Sequence, residues 1–355
     1  MPAGESSPVH RLPVGKLDLE LMSELLASVA TDAAAVIVGP GVGQDVAVLD
    51  VGSPDSYLLA KTDPITFATD AIGYYAVNVN ANDIATTGGV PRFFLATLLL
   101  PDARADETLV RDIFDQIREA CDAMGVLPVG GHTEVTHNLD RPILIGVMLG
   151  EVPRGEVITS AGAQVGDRVL LTKGVAVEGT SIIARELSEQ LEARGYDERF
   201  IGAARELLYA PGISVLREAR IAVNAARVHA MHDPTEGGVA TGLHELALAS
   251  GVGLAIEHAR VPLLPETERL CAEFGLEPLG LIASGSLLLT AEAAAAERII
   301  AACRAEGIAC ADIGEVRPEA EGMRLLREGA WLDLPRYDQD EIAKLFQGYG
   351  VKADP

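Results

Sequence analysis

Residues 78–84 read Asn78-Val79-Asn80-Ala81-Asn82-Asp83-Ile84, inside a pattern that is otherwise helical. Apolar spacing and punctuation predict a helix from about Ala71 to Thr87, closed by Gly88, Gly89 and Pro91. Asparagine and aspartate are poor helix formers because their side chains compete for backbone hydrogen bonds, so this crowding asks for a reason other than propensity. Asn82 and Asp83 belong near the turn that carries Val79 and Thr86, close to the apolar side. A carboxylate half-buried there needs a cation or strong donors. Asp83 therefore reads as a ligand in preference to a solvated surface residue.

Outward from this helix, strand and helix patterns alternate without becoming a regular βαβ series. Leu17, Leu21 and Leu25 line a first helix with Asp18 near its start, and short strands follow at Asp45 to Asp50 and Tyr57 to Thr62. After the central helix come a buried strand at Phe93 to Leu100, a helical stripe from Val110 to Met124 stopped by Gly125, and strands at Val126 to Val129 and Pro142 to Leu149. The small-residue segment Glu151 to Gly166 reads as an interdomain connection. The expectation is a mixed α/β (α+β) chain with an N-terminal domain over 1–160, a second α/β domain over 161–340 and a tail over 341–355.

The chain has 355 residues, room for about two domains, each able to bury a core without disulfide or metal staples. Its longest apolar runs fall far short of the roughly 20 residues that span a bilayer. The opening MPAGESSPVHR has no apolar stretch of the kind a secretory signal needs, and the four cysteines include no C-x-x-C pair. A cytoplasmic protein with reduced thiols is expected. The net charge of −24, from 28 basic against 52 acidic side chains, repels polyanions, so neither nucleic acid nor an anionic membrane is an expected partner. A phosphate ligand in so acidic a protein would need a bridging divalent cation, which points to magnesium.

Four further segments concentrate polar groups. In Gly41-Val42-Gly43-Gln44-Asp45-Val46-Ala47-Val48 the glycines permit a tight turn and Asp45 begins a strand; alone, such a segment is more often an ordinary turn. Lys61-Thr62-Asp63-Pro64 presents Asp63 at a strand end, as a site residue or a strand terminator. Gly130-Gly131-His132-Thr133-Glu134 follows a strand as a glycine loop whose N–H groups, through Gly130, Gly131 and Thr133, can approach phosphate or ribose oxygens. His132 fits a base, a donor or a packed ring. Met231-His232-Asp233-Pro234-Thr235-Glu236-Gly237-Gly238 leads from a short strand into a helix, and the N–H groups at Gly237 and Gly238 favour an anion. Thr235 as a plain helix cap is the alternative. A dinucleotide fingerprint, a Walker P-loop, a Gly-x-Ser-x-Gly elbow and zinc-protease spacing are all missing.

In order, these segments resemble the AIR synthase (PurM-like) superfamily, whose members include thiamine-monophosphate kinase and the hydrogenase-maturation family HypE. Gly41 to Val48 is similar to the Gly-x-Gly-x-Asp-Ala-Ala-Val element, Asp63 to the Thr-Asp element, and Asn82-Asp83 with Gly88 to Arg92 to Asn-Asp-Ile-x-x-x-Gly-x-x-Pro. His232-Asp233-Pro234-Thr235 with Gly237-Gly238 resembles the HypE pattern His-Asp-Pro-Thr-Arg-Gly-Gly. The resemblance implies a two-domain fold whose N-terminal domains pair strands across a homodimer, and a Mg-ATP-dependent enzyme. It implies Asp45, Asp83 and Asp233 as magnesium ligands, Asp63, Asn82, Gly130 to Thr133, Gly237 and Gly238 around ATP, and Asp83, His132 and Asp233 as catalytic. The implied reaction is activation of an acceptor oxygen by phosphoryl transfer, on a small molecule or a protein; a small-molecule kinase or ligase, or a nucleotide-binding maturation partner without turnover, are the alternatives. Three positions depart from HypE. Glu236 replaces its arginine, Gly-Gly-His-Thr-Glu replaces its Gly-Asp-Thr, and the chain ends Gly-Val-Lys-Ala-Asp-Pro where HypE has a terminal cysteine, so a separate acceptor is expected.

Overall fold

The computed structural model describes residues 17, 19–66, 70–337 and 339–348; Asp18, the opening segment and the final Gly-Val-Lys-Ala-Asp-Pro lie outside the described residues. The N-terminal unit runs α1 (Leu19–Val29), β1 (Val36–Val38), β2 (Ala47–Leu49), β3 (Ser56–Ile65), α2 (Ile72–Thr86), β4 (Val90–Pro101), α3 (Glu107–Met124), β5 (Leu127–Thr136) and β6 (Ile143–Pro153). Its strands form one sheet in the order β1-β2-β3-β6-β4-β5, antiparallel except for the parallel pair β4/β5.

The chain continues through β7 (Arg168–Thr172), α4 (Val177–Glu186), α5 (Ser188–Ala193), α6 (Glu198–Glu206), α7 (Leu216–Ala225), β8 (Ala230–His232), α8 (Gly238–Ser250) and β9 (Val252–Glu257). Then follow α9 (Pro265–Phe274), β10 (Leu288–Ala291), α10 (Ala293–Ala305), β11 (Cys310–Pro318), β12 (Met323–Arg327), β13 (Ala330–Asp333) and α11 (Ile342–Gly348). These strands build a second sheet, ordered β13-β12-β9-β11-β7-β10-β8. The architecture is the expected mixed α/β fold with two sheets. All four cysteines are free thiols, and among the described residues no helix is long and apolar enough to cross a membrane.

Between the two sheets lies α2, of which every residue except Tyr74 is buried. A helix buried all round cannot leave its polar side chains to water, and two of its asparagines are spent on neighbouring backbone. Asn80 accepts from the Asp63 N–H at 2.9 Å and donates to Ala76 O at 2.9 Å. Asn82 donates to Ile213 O at 2.7 Å and accepts from the Val215 N–H at 2.8 Å. One helix thus fastens β3 of the first sheet to the segment that opens α7 in the second unit.

The glycine loop expected at Gly130 to Glu134 is instead part of a continuous strand. Gly130 and Gly131 take φ of 151° and 148°, values open to glycine but not to other residues, and a register shift falls beside them on β4. A Cβ on Gly131 would lie 1.9 Å from Ala96 O. Gly131 is there for close strand approach and Gly130 for its backbone conformation, and β5 is an outer edge of the sheet.

Replacing Asn82 by leucine keeps the volume but strands the Ile213 carbonyl and the Val215 N–H. At about 1–3 kcal/mol for each of these two buried unsatisfied groups, N82L is expected to lose about 2–6 kcal/mol in urea unfolding, and a loss below about 1 kcal/mol would show that the stitch between the units is dispensable.

Candidate active site

The side chains that face one another across the seam come from both units. Alternation along β3 turns Lys61 and Asp63 to the same side, α2 supplies Asp83 one turn after Val79, and the loop before β2 supplies Asp45. From the second unit come His232 at the end of β8, Asp233 just beyond it, Glu178 in the first turn of α4, and Ser284 ahead of β10. They line a cavity of about 470 Å³.

Charge within it is unbalanced. Asp45, Asp63, Asp83, Glu178, Asp233 and Glu236 face Lys61, Arg141 and His232. The Lys61 ammonium lies 3.3 Å from Asp63 and 3.2 Å from Asp83. Burial disfavours its charge, but the fields of Asp83, Asp63, Asp45 and Asp233 outweigh that and raise its pKa. His232 is held between two carboxylates, Nδ1 to Asp45 at 2.8 Å and Nε2 to Glu245 at 2.9 Å. Burial works against its charged form too, yet these two partners hold its pKa well above the usual histidine range.

The acids respond in the opposite sense. Burial pushes Asp83 well above the ordinary carboxylate range against the pull of Lys61, with Asp233 adding to the rise. Asp233 is pushed up to about 7 by burial and then by Asp45, with His232 and Lys61 opposing. Both Asp233 oxygens are buried and have no hydrogen-bond partner. Ligand atoms of Asp45, His232 and Asp233 all lie within 4.8 Å of one another, but both His232 nitrogens are occupied by carboxylates, so Asp45 and Asp233 are the oxygen donors able to take a cation. Asp83 lines the same cavity beside Lys61.

Of the residues singled out in the sequence, Asp45, Asp63, Asp83 and Asp233 are brought together here. Asn82 is not; its side chain is the backbone anchor described above. Gly130, Gly131, His132 and Thr133 lie on the exposed edge strand β5, where His132 pairs with Glu134 at 3.0 Å, away from the cavity of this single chain. Gly237 and Gly238 do open α8, but the Gly237 N–H donates to the Asp340 carboxylate at 2.7 Å and the Gly238 N–H to Thr235 O. The protein's own acid occupies the anion position expected there.

Sequence reading passed over Lys61, although its alternation with Asp63 was a usable signal, and over Glu178, whose only sign is an acidic residue inside an apolar helix start. Glu178 accepts from the Ser284 N–H at 3.3 Å. Burial raises its pKa to about 7, with Glu236 and Asp340 adding to the rise and the Ser284 hydrogen bond opposing it.

A two-sheet α/β fold with an acidic cleft at the seam, built from these motifs in this order, defines the class. The chain belongs to the AIR synthase-related protein family: residues 43–152 match the model of the AIR synthase related protein N-terminal domain, and residues 164–324 that of the C-terminal domain. Among its relatives, Carbamoyl dehydratase HypE of Escherichia coli is 31% identical over 277 residues, 77% of each chain. The protein of that name from Cupriavidus necator is 30% identical over 287 residues, 77% of this chain and 78% of that one. Among solved structures, the hydrogenase maturation protein HypE in complex with ATP superposes with a TM-score of 0.67 at 23% identity, covering 90% of this chain and 92% of that one. The HypE-HypF complex gives 0.69 at 22%, covering 89% and 99%. AaThiL complexed with AMPPCP and TMP gives 0.67 at 22%, covering 90% and 94%. These structures share the fold.

The folded Glu178 value of about 7 lies above its ordinary 4.5, so the native state holds a proton that the unfolded chain has released between those pH values. Stability from this group is therefore lost as pH rises through that window and stays lost above it. Glu178→Gln is expected to be more stable than the parent at pH 8 by about 3 kcal/mol and to lose most of that advantage at pH 5; equal differences at both pH values would place the group in contact with water.

Proposed function

We propose that this protein is a Mg-ATP-dependent enzyme of HypE-like type, which phosphorylates an acceptor oxygen so that it can leave as phosphate. The observation that carries the reading is Asp233, whose two buried carboxylate oxygens lack partners in a cavity shared with Asp45 and Asp83. A buried carboxylate in that condition would be stabilised by a cation, and oxygen donors of this kind are what magnesium takes. Asp45, Asp83 and Asp233 would hold the ion, and Asp63 would face ATP. Bound there, magnesium neutralises charge on the phosphates. The complexes of HypE with ATP and of AaThiL with AMPPCP support the choice of nucleotide.

Within the chain itself, Lys61 contributes a positive charge at the cavity wall beside Asp63 and Asp83, which would help offset the charge of bound phosphates. In the proposed step the acceptor oxygen bonds to the γ-phosphorus as the bond to the ADP oxygen breaks. With a carboxamide acceptor, departure of phosphate with that oxygen and loss of both N–H protons leaves a nitrile. Glu178, near neutrality in pKa and lining the same cavity, is suited to take one of those protons, the other passing to solvent. The acceptor is a small molecule or a separate protein; the HypE-HypF complex supports a protein partner. A small-molecule kinase is the second reading, favoured by Glu236 at the position of HypE's arginine. The two differ in whether phosphate stays on the product, which ATP turnover with and without candidate acceptors, followed by product mass, distinguishes.

Mg-ATP at a hundredfold excess over Kd is expected to stabilise the protein by about 2.7 kcal/mol in thermal melts. Asp83→Asn and Asp233→Asn should each shrink that shift, and an undiminished shift in both variants would put the nucleotide elsewhere.

We further propose the division into units 1–160 and 161–340 with a tail 341–355, and a homodimer paired through the N-terminal units. Edge strand β5 exposes Leu127, Val129 and Val135, and an apolar unpaired edge invites a second strand. His132, proposed as catalytic, and Gly130 to Thr133 would then act from the dimer interface. Light scattering is expected to return about twice the chain mass of 37.3 kDa; a monomer at micromolar concentration would contradict this pairing.

A further inference from the structure

A second cavity, of about 400 Å³, opens on another face of α2, between that helix, the end of α3 and the start of α7. Its walls are mostly aliphatic, with Ala85, Ala120, Met124, Leu216 and Val223 among them. Tyr74, Asn78 and Ala85 present one stripe of α2 to it, while Val79 and Asp83 on a different stripe face the acidic cavity.

Asn78 is only 1% exposed. Its Nδ2 donates to Tyr74 O at 2.8 Å, which fixes the amide orientation, because the flipped form would set oxygen against oxygen. Its Oδ1 is buried and has no partner, whereas Asn80 and Asn82 on the same helix are satisfied at both ends. One water could meet that oxygen, but aliphatic walls would leave the rest of its hydrogen bonds unmade.

The mouth is positive in a chain of net charge −24. Arg217 and Arg220 stand there, both exposed. Among the described residues Arg217 is tied only to Glu306 at 3.4 Å, in a pair whose side chains are 61% and 59% exposed, and Arg220 has no ion-pair partner. The wall is also rigidly held. Ser214 lines the cavity, and its carbonyl accepts from the buried Lys173 ammonium at 2.5 Å, while Asn82 fixes the residues on either side.

We infer that this cavity is a binding site for a small amphiphilic anion: an apolar body against the aliphatic walls, one N–H or O–H donating to Asn78 Oδ1, and an anionic group at Arg217 and Arg220. Volume and lining suit a compact organic ligand. The site is separate from the acidic cavity, and the inference stands whether or not ATP is the nucleotide there.

The probe is 8-anilinonaphthalene-1-sulfonate, which combines a naphthalene body, one anilino N–H and a sulfonate. Titrated into the full chain by fluorescence and calorimetry, it is expected to fill one saturable site per chain that Mg-ATP does not displace. Arg220→Glu, at an exposed position that should leave the melting temperature unchanged, is expected to weaken binding at least tenfold, as is Asn78→Leu. If Asn78→Leu fails to fold, Arg220→Glu alone decides. Absent binding, several equivalent weak sites, displacement by Mg-ATP, or unchanged affinity in Arg220→Glu would each overturn the proposal.

Discussion

A helix enclosed on every side has to find partners for its polar side chains inside the protein, and the rest of this structure is arranged around how α2 does so. Asn80 reaches back to the backbone of β3 beside Asp63, and Asn82 reaches across to residues 213 and 215. These directional bonds fix the rotation of the helix as well as its position, since a turn of one residue would break them together. With the rotation fixed, Asp83 can point only into the seam, where β3 brings Lys61 and Asp63 and the second unit brings His232 and Asp233. The acidic cavity is a consequence of that stitching.

What makes the cavity chemically distinctive is that Lys61 and His232 are both engaged by carboxylates while its negative charge is not used up. Lys61 sits in the field of four carboxylates, and His232 is shared by two. Each cation is therefore held charged far beyond its usual range, yet Asp83 and Asp233 are still driven toward their protonated forms. Burial sets that direction, and too little internal positive charge stands close enough to reverse it. A structural ion-pair network would be expected to satisfy its own carboxylates. Here Asp233 goes unsatisfied at both oxygens, which is the reason for reading the site as functional.

The carboxylates were legible in the sequence because each sits where its residue type is out of place: Asp83 inside a helix, Asp63 at a strand end before proline, Asp45 between a glycine turn and a strand. At Asn82 the same anomaly goes with a backbone anchor; an asparagine in a buried helix can bind a ligand or anchor a backbone, and spacing does not distinguish the two. Gly130-Gly131 read as a loop because paired glycines usually break strands; at Gly131 β4 approaches too closely for a Cβ, and both take a φ that favours glycine. Glu178 left almost no trace, since an acidic residue in the first turn of a helix is ordinarily solvated there and only the tertiary fold shows it covered. Most of the element order of the first unit was readable because the apolar periodicity and its Gly and Pro punctuation are local, although the short β1 was passed over. What pairs with what across the seam is not local, and was not readable.

The far end of the cavity follows from the same accounting of buried charge. Asp340, from the segment ahead of α11, accepts N–H groups from Gly237, Ile282 and Ile342, so it clamps the start of α8 to the loop that also carries Ser284. Burial still raises its pKa to about 6, the three hydrogen bonds opposing and Glu236 adding to the rise. Glu178 stands at about 7 for the same first reason. Two neighbouring acids that titrate near neutrality cannot both act as fixed charges there. Asp340 is committed by three backbone donors to holding the α8 turn, whereas Glu178 accepts from Ser284 alone among the hydrogen bonds described for it. Glu178 is thus the acid at this end whose proton can move without releasing the α8 turn, the cost falling on the burial of its own charge, and that separates a positioning carboxylate from one free to do chemistry.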